Sequence, residues 1–569
     1  MIFFRDMKTE RISLPVPGDA LRLLRALREA GYTAYICGGW VRDALLGHIG
    51  TESKGMDLVT SAPPDEVARV AESLGYKPRF VGKTFGITLV GGFEVATFRT
   101  DKSYSDGRHP DAVEFGVSPK EDAKRRDFTI NALFYDPFDG VVIDYVGGLE
   151  DIRAKRLRFI GDPHRRLAED RLRAIRYVRF IGTLGEEWSD ADSLEAIKAM
   201  SDDIVPKLAW ERIADEISRM LEGPRPDVCM EYLRRLGLLK DILPELEATY
   251  TTQGGDYHAE TVYEHSLICA RRAREFLDDP PYSGRPPSRR AIFVFACLLH
   301  DIGKAPAARL VACCPSCRKR NVKTFEEAGV SRCSICGAQV EFDWAFYGHE
   351  RLGAEMVERI ARRFKLSTKD TQYLVALTKH HMVTITPDKV IRRCQSCGFE
   401  FPSWDSVVFH RLPEDVRKGA VRCPRCGSTD TEVKSVRAKG TSLAAVRRLV
   451  VRLGKELTWD LLLLRWADIL SNLKEDERGE LSGHLFAAMY DEVVSEMERF
   501  RIADLAIGGK DLIELGLKPG PLFGEILEHL KDRILDDPSR NNRDWLIGEV
   551  KRYLAQRKAN TNGDQGVNE

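Results

Sequence analysis

The sequence predicts a multidomain α/β plus α protein: a mixed-sheet head, a helical neck, an all-α body broken by two small cysteine-rich insertions, and a helical tail. Three observations carry this reading. Short apolar runs alternate with helix-period segments through the first 150 residues. Apolar residues then recur at helical spacing over most of the remaining chain. Four Cys-x2-Cys pairs interrupt that pattern at two places.

Taken in order, ALRLLRALREA (20–30) is an amphipathic helix with its leucines on one stripe. TAYICGG (33–39) is a short buried strand running into a glycine turn, and VRDALLG (41–47) opens a helix. MDLVT (56–60), FGITLV (85–90) and FEVATF (93–98) are further strands. From 161 to about 250 the pattern is helical: HRRLAEDRLRAIRYVRFIG, then SLEAIKAM, then CMEYLRRLGLL. The expected divisions are a head at 1–150, a neck at 151–254, and a body at 255–485 interrupted at 311–340 and 390–430. A helical tail follows at 486–558, built around the turn LGLKPGPLFG, and the polar end 559–569 reads as disordered.

Lys plus Arg and Asp plus Glu stand at 87 each, so nucleic-acid binding would need a local patch and not net charge. The basic run from Arg153 to Arg179 is one candidate; an ordinary solvated helix face is the alternative. The start MIFFRDMKTE is too short and polar for a signal peptide, and no apolar run reaches membrane-spanning length. A cytoplasmic enzyme with no membrane partner is expected.

Gly38 and Gly39 sit between a strand and a helix. Without side chains they let backbone N–H groups approach a triphosphate. Arg42 is placed to pair with phosphate, with Asp43 as a buttress of the loop. Carboxylates at i and i+2 on a strand share one face and suit a metal pair. Here Asp57 supplies one carboxylate, while Gly55 stands where the other would be. Glu52 in the preceding loop is a candidate substitute for the missing one.

GGWVRDALLG, MDLVTSA, RRDFTINAL and EDRLRAIR, in this order, resemble the nucleotidyltransferases that add CCA to tRNA or adenosines to RNA. The resemblance implies a head with Asp57 and Glu94 as catalytic groups and Asp57 as a magnesium ligand. The loop before Asp57 is longer than that family usually shows. DGRHPDAVEF matches the segment that precedes the family's second motif. Arg126 and Asp127 resemble the pair that reads the ribose, with Asn131 holding the turn. Asp170 and Arg173 resemble the pair that selects the incoming base, Asp170 accepting from an exocyclic amine and Arg173 donating to ring acceptors. Arg176 joins that nucleotide-binding set. Asp170 and Arg173 are expected on one helix face at i and i+3, where an ordinary salt bridge is the alternative. FVGKTFGITLV is closer to CCA-adding enzymes than to bacterial poly(A) polymerases, which implies tRNA as partner and ATP and CTP as substrates.

His265 in YEHSL, His300-Asp301 in LLHDIGK, His349 in GHERLGAE, His380-His381 in LTKHHM and Asp468 in LRWADILSN form the order H…HD…H…H…D. This resembles the HD superfamily of metal-dependent phosphohydrolases, and it implies one or two transition metals activating a water against phosphorus. His258 is an added candidate. Cys314, Cys317, Cys333 and Cys336 form one set of knuckles, and Cys394, Cys397, Cys423 and Cys426 the other. They resemble zinc ribbons, each set holding one structural zinc; disulfides are disfavoured in a cytoplasmic setting. Both sets fall between expected HD ligands, where they shape access to that site or grip RNA. DLAIGGKDLIELGLKPGPLFGEIL resembles the tail of HD-bearing CCA-adding enzymes.

The expected function is template-independent addition of CMP and AMP to the tRNA 3′ end, coupled to a metal-dependent HD phosphohydrolase. Two alternatives stay open. One is an A-adding enzyme or poly(A) polymerase. The other is an RNA-binding protein whose only active centre is the HD site, because Gly55 replaces an aspartate.

Overall fold

The computed structural model describes residues 8–48, 55–81, 86–102, 112–254, 260–282, 284–327, 329–383, 388–406, 408, 414–472, 478–499, 502–536 and 538–563. They fall into two compact units, residues 1–248 with 360–366, and residues 249–359 with 367–569.

The first unit opens with β1 (Lys8–Arg11), α1 (Gly18–Glu29), β2 (Ala34–Cys37), α2 (Gly39–Leu45), β3 (Asp57–Thr60) and α3 (Pro64–Ser73). The strands β4 (Arg79–Phe80), β5 (Ile87–Val90), β6 (Phe93–Thr97), β7 (Arg99–Lys102) and β8 (Ala112–Phe115) follow. Then come α4 (Pro119–Arg125), β9 (Leu133–Asp136) and β10 (Val141–Asp144). Eight strands form one mixed sheet in the order β1-β10-β9-β2-β3-β6-β5-β4, while β7 and β8 form a separate hairpin. The pairing of β3 with β6 is parallel, with Asp57 in register with Glu94. One face of the sheet is sealed by α1 and α3 through Leu23, Leu27, Val67 and Val70 against Ile36, Leu58 and Val95. The other face buries Val59, Phe98 and Phe134. The mixed-sheet head expected from the alternating runs is therefore present.

Helices continue the unit: α5 (Gly148–Arg153), α6 (Pro163–Glu169), α7 (Leu172–Leu184), α8 (Ala191–Ala199), α9 (Ser201–Ile204), α10 (Trp210–Glu222) and α11 (Pro226–Arg235). Tyr177 of α7 stacks on Phe159, and Phe180 meets Phe128 edge-on, so α7 is anchored by its aromatic stripe.

The second unit is helical, with helices at Val262–Asp278, Arg290–Leu299, His349–Arg363, Thr368–His380 and Lys455–Ser471. Two small sheets interrupt it. The first insertion holds β11 (Arg309–Cys314), β12 (Lys319–Arg320), β13 (Thr324–Glu327), β14 (Val330–Cys333) and β15 (Glu341–Ala345). The second holds β16 (Asp388–Cys394), β17 (Glu400–Asp405) and β18 (Thr431–Ala438). Both strand sets extend beyond the expected 311–340 and 390–430, because the flanking strands pair with each other before the chain returns to helix. The tail packs Leu512, Ile526, Leu530, Leu546 and Val550 into its own core. Its last helix, Arg543–Gly563, continues past Ala559, where disorder was expected to begin; residues 564–569 lie outside the described residues.

Candidate functional site

The first unit carries a cleft of about 690 Å³ lined by Gly38, Gly39, Arg42, Asp57, Arg126, Asp127, Asn131, Asp170, Arg173 and Arg176. Ten residues expected from four separate motifs therefore share one cavity. Nine arginines line it against three aspartates, which selects for an anionic ligand.

Each group is held by an identifiable local device. Gly38 ends β2 with φ +79, and a Cβ there would meet Asp57 Oδ2 at 3.2 Å. The turn needs glycine for both reasons. Arg42 is buried; it donates to Asp43 Oδ1 at 2.8 Å and to Asn131 Oδ1 at 2.6 Å. Asp43 thus aims Arg42, and Asn131 bridges Arg42 to Asp127 at 3.3 Å. Arg126 is positioned by buried Asp122 of α4, at 3.1 Å, and donates to the Cys37 thiol at 3.1 Å. Burial pushes that thiol up to about 12, so it is neutral and no nucleophile.

Asp57 opens β3 and Glu94 lies opposite it on β6. Burial raises the Asp57 carboxyl above its ordinary value; Arg126 opposes the rise and Glu94 adds to it. Two facing carboxylates that repel in this way fit a divalent cation. Gly55 adds no carboxylate: it lies ahead of β3 with φ +77, in a turn. Glu52 and residues 106–111 of DGRHPDAVEF lie outside the described residues.

Asp127 takes a two-pronged hydrogen bond from Arg176 at 3.0 and 2.6 Å. Burial would raise its carboxyl, but Arg176, the Phe128 N–H and Asn131 together outweigh burial and bring it down to about 2. Asp170 and Arg173 depart from the expected single helix face. Asp170 falls in the break between α6 and α7, and its extended backbone ends α6. It pairs with Arg212 of α10 at 3.1 and 2.9 Å, while Arg173 pairs with Glu169 at 3.0 Å and with the Arg166 carbonyl. The two therefore face the cleft without pairing to each other. Arg212, Asp122 and Glu169 went unnoticed in the sequence; the i,i+4 spacing of Asp122 to Arg126 and of Glu169 to Arg173 is a local signal for two of them, and nothing local marks Arg212.

The basic run at 153–179 is not a free cationic face. Arg153 pairs with Glu10, Arg156 and Arg158 with buried Asp151, Arg171 with Asp203, and Arg179 with Glu216. Lys155, Arg165 and Arg166 are paired likewise.

In the second unit the helices bring His265, His300, Asp301, His349, His381 and Asp468 together. Two sets of potential ligands share Asp301: His265, His300 and Asp301, and Asp301, His349 and His381. The Nδ1 atoms of His300, His349 and His381 donate to the carbonyls of Cys297, Phe346 and Thr378 at 2.7–2.8 Å. That fixes the tautomers and turns each Nε2 lone pair inward. His349 Nε2 and His381 Nε2 then face each other at 3.1 Å. His265 Nε2 lies 2.9 Å from Asp468 and its Nδ1 3.2 Å from buried Glu260. Among the described residues, buried His300 Nε2 and Asp301 Oδ1 have no hydrogen-bond partner. Inward lone pairs around orphaned polar atoms fit divalent cations, which His265, His300, Asp301, His349 and His381 would hold. His380 is a correction: it lies outside both sets, because neighbouring residues of a helix point roughly 100° apart and it is His381 that faces the site. His258 lies outside the described residues. Gly303 makes the assembly possible, since a Cβ there would meet the His349 carbonyl at 2.1 Å.

In the first cysteine cluster Cys314 and Cys336 are 3.5 Å apart and Cys317 and Cys333 4.0 Å. In the second, Cys394 and Cys426 are at 3.5 Å and Cys397 and Cys423 at 3.7 Å. Thiolates at the corners of a tetrahedron with a metal–sulfur bond of ~2.3 Å would be ~3.8 Å apart. Both clusters fit one tetrahedral metal each.

Residues 34–158 match the family model of the poly A polymerase head domain. That match lies within the first unit. Residues 190–249 match the model described as a probable RNA and SrmB-binding site of polymerase A, and residues 262–393 match the HD domain. A CCA-adding enzyme of Bacillus pumilus is 41% identical over 234 residues, 40% of this chain and 55% of the relative. One from Lacticaseibacillus paracasei is 40% identical over 204 residues, 36% of this chain and 50% of the relative. The chain thus spans about half the length of these curated relatives. The crystal structure of the Bacillus stearothermophilus CCA-adding enzyme in complex with CTP aligns over 95% of this chain and 98% of that chain, with 22% identity and a TM-score of 0.52. That likeness is one of fold. Among the described residues, no helix is long and apolar enough to cross a membrane.

Proposed function

We propose that the head is a template-independent nucleotidyltransferase that adds CMP and AMP to the tRNA 3′ end, and that the HD unit is a metal-dependent phosphohydrolase. The observation that carries the first part is the convergence of Asp57, Asp127 and Asp170 on one arginine-lined cleft. Relatives named CCA-adding enzymes support it. In this reading the Gly38-Gly39 backbone and Arg42 receive the triphosphate. Arg126 and Asp127 orient the ribose, whose 2′-hydroxyl both donates and accepts. Arg173 donates to ring acceptors. Asp170 already takes hydrogen bonds from Leu172 N and twice from Arg212. A carboxylate offers about four such positions, so one is left for an exocyclic amine. ATP and CTP both present an amine beside a ring nitrogen, so one pair of side chains serves both. Magnesium held by Asp57 and Glu94 would supply the charge that activates the RNA 3′-hydroxyl and steadies the triphosphate.

In the HD unit, His265, His300, Asp301, His349, His381 and Asp468 would hold divalent transition metals, which supply Lewis acidity toward a phosphate ester. The two cysteine clusters would hold structural zinc, in keeping with a cytoplasmic setting where thiols stay reduced.

The test is incorporation of labelled CTP and ATP, separately and together, into tRNA lacking its CCA end, with Asp57→Ala as control. Incorporation of both, lost in the control, is expected. Incorporation of ATP alone would turn the reading to an A-adding enzyme or poly(A) polymerase. No incorporation, with hydrolysis of phosphate esters retained, would favour the second reading, an RNA-binding head beside a single HD centre. The absence of a carboxylate at Gly55 is the observation behind that second reading.

A further inference from the structure

We infer that the first cysteine-rich insertion carries a stacking platform for an unpaired RNA strand, which delivers that strand to the HD site. The inference names the substrate class of that site and so rests on the phosphohydrolase reading. The β-register sets the geometry. Leu310 of β11 is paired with Trp344 of β15, and Ala312 with Phe342, so these four share one face of the three-stranded sheet. The end of this face nearest the cysteine cluster is closed, with Ala312 and Cys314 buried against Cys333 and Val340. The far end is open: Leu310 is 57% exposed, Phe342 54% and Trp344 39%. Phe342 and Trp344 stand two residues apart on β15, so both rings project from this one face.

The chemistry around the rings selects the occupant. Lys319, paired with Cys314, stands on this same face and is exposed, as is Arg318 beside it in the first knuckle; exposed Arg309 stands on the opposite face of β11. Aromatic faces flanked by cations suit a strand with stacking bases and a phosphate backbone, and stacking tolerates any base sequence. A hydrophobic protein partner would leave these cations unpaired. The chain path supplies the link to the HD site. β11 starts shortly after Asp301, and β15 leads directly through Phe346 to His349, whose Nδ1 donates to the Phe346 carbonyl at 2.8 Å. Lys304 ties the two ends, donating to Asp301 at 2.7 Å while its ammonium sits 5.6 Å from the Phe346 ring centre. Both strands of the platform are thus rooted at residues that face the HD centre.

The test uses the full chain and the double variant Phe342→Ser, Trp344→Ser, both at exposed positions. A short oligouridylate carrying 4-thiouridine is crosslinked and the sites are read by mass spectrometry. Its affinity is measured by fluorescence anisotropy, and its hydrolysis is followed beside that of a small chromogenic phosphodiester. Crosslinks within 309–347, affinity at least roughly tenfold weaker in the variant, and a raised KM for the oligonucleotide only are expected. Equal affinity in both proteins, or crosslinks confined to the head, would overturn the platform. Failure of the unaltered protein to hydrolyse the small diester would instead overturn the phosphohydrolase reading, whatever the binding result. Lys319→Glu provides an independent variant: weakened binding with unchanged hydrolysis of the small diester is expected, and unchanged binding counts against the inference.

Discussion

Arg176→Gln tests the electrostatic frame of the head cleft. Arg176 grips Asp127 with two hydrogen bonds and also lies 3.6 Å from Glu216. With Arg176 in place, the Asp127 carboxyl falls from 3.8 to about 2 despite its burial. A depressed carboxyl contributes stability that is present above its unfolded value near 4 and is lost as pH falls through about 2. The descent corresponds to roughly 2.5 kcal/mol at neutral pH. In the variant the Arg176 share of that contribution disappears, while the Phe128 N–H and Asn131 bonds remain, and burial then lifts Asp127 toward its unfolded value. The gap between the two proteins should therefore be largest at pH 7 and shrink as pH falls toward 4, where the variant's Asp127 takes up a proton. Urea unfolding at pH 7, 5.5 and 4, followed by tryptophan fluorescence, measures it. Two outcomes would refute the reasoning: equal unfolding midpoints at pH 7, or a gap of at least 2 kcal/mol that does not change with pH.

Gly38→Ala should cost about 1–3 kcal/mol of stability through its left-handed backbone, and it should weaken triphosphate binding by crowding Asp57; calorimetric titration with CTP checks the second effect, and unchanged affinity would contradict it. His381→Ala should reduce the divalent metal retained by the HD unit, whereas His380→Ala should leave it intact; metal analysis after dialysis distinguishes the two, and equal losses would remove the distinction drawn between them. Metal analysis of the purified chain should also find two tightly held zinc ions, falling to one in Cys336→Ser, with the second cluster unaffected; release of both ions would contradict independent clusters.

What could be read from the sequence depended on how local the determinants were. The strands of the head and the cysteine knuckles lie within short windows, so period and spacing sufficed. The residues proposed as HD ligands each sit in their own short motif and were legible for that reason, yet adjacency left His380 and His381 equal until the end of the helix set their directions. Asp170 and Arg173 were expected on one helix because EDRLR contains no proline or glycine to signal a break. At the break the Asp170 carboxylate accepts from Leu172 N at 3.1 Å, and distant Arg212 on α10 holds the same carboxylate. The basic run at 153–179 looked like a patch because its neutralising acids, Glu10, Asp203 and Glu216, lie far away in the sequence.

The antiparallel pairing at the base of each insertion has a consequence for chain entropy. Arg309 is paired with Ala345, and Lys389 with Ala438. Each excursion leaves the helical body and re-enters it one strand width away, so while its cysteine cluster is closed the body meets only a tight turn. If the cluster opens, that turn becomes a long flexible loop, and closing it costs roughly 2–3 kcal/mol more by the logarithmic loop law. The two loops join Asp301 to His349 and His381 to Asp468. Loading the cysteines therefore shortens the effective distance along the chain between groups that must meet elsewhere, and a chain made under metal starvation would assemble its HD centre against a double entropic handicap.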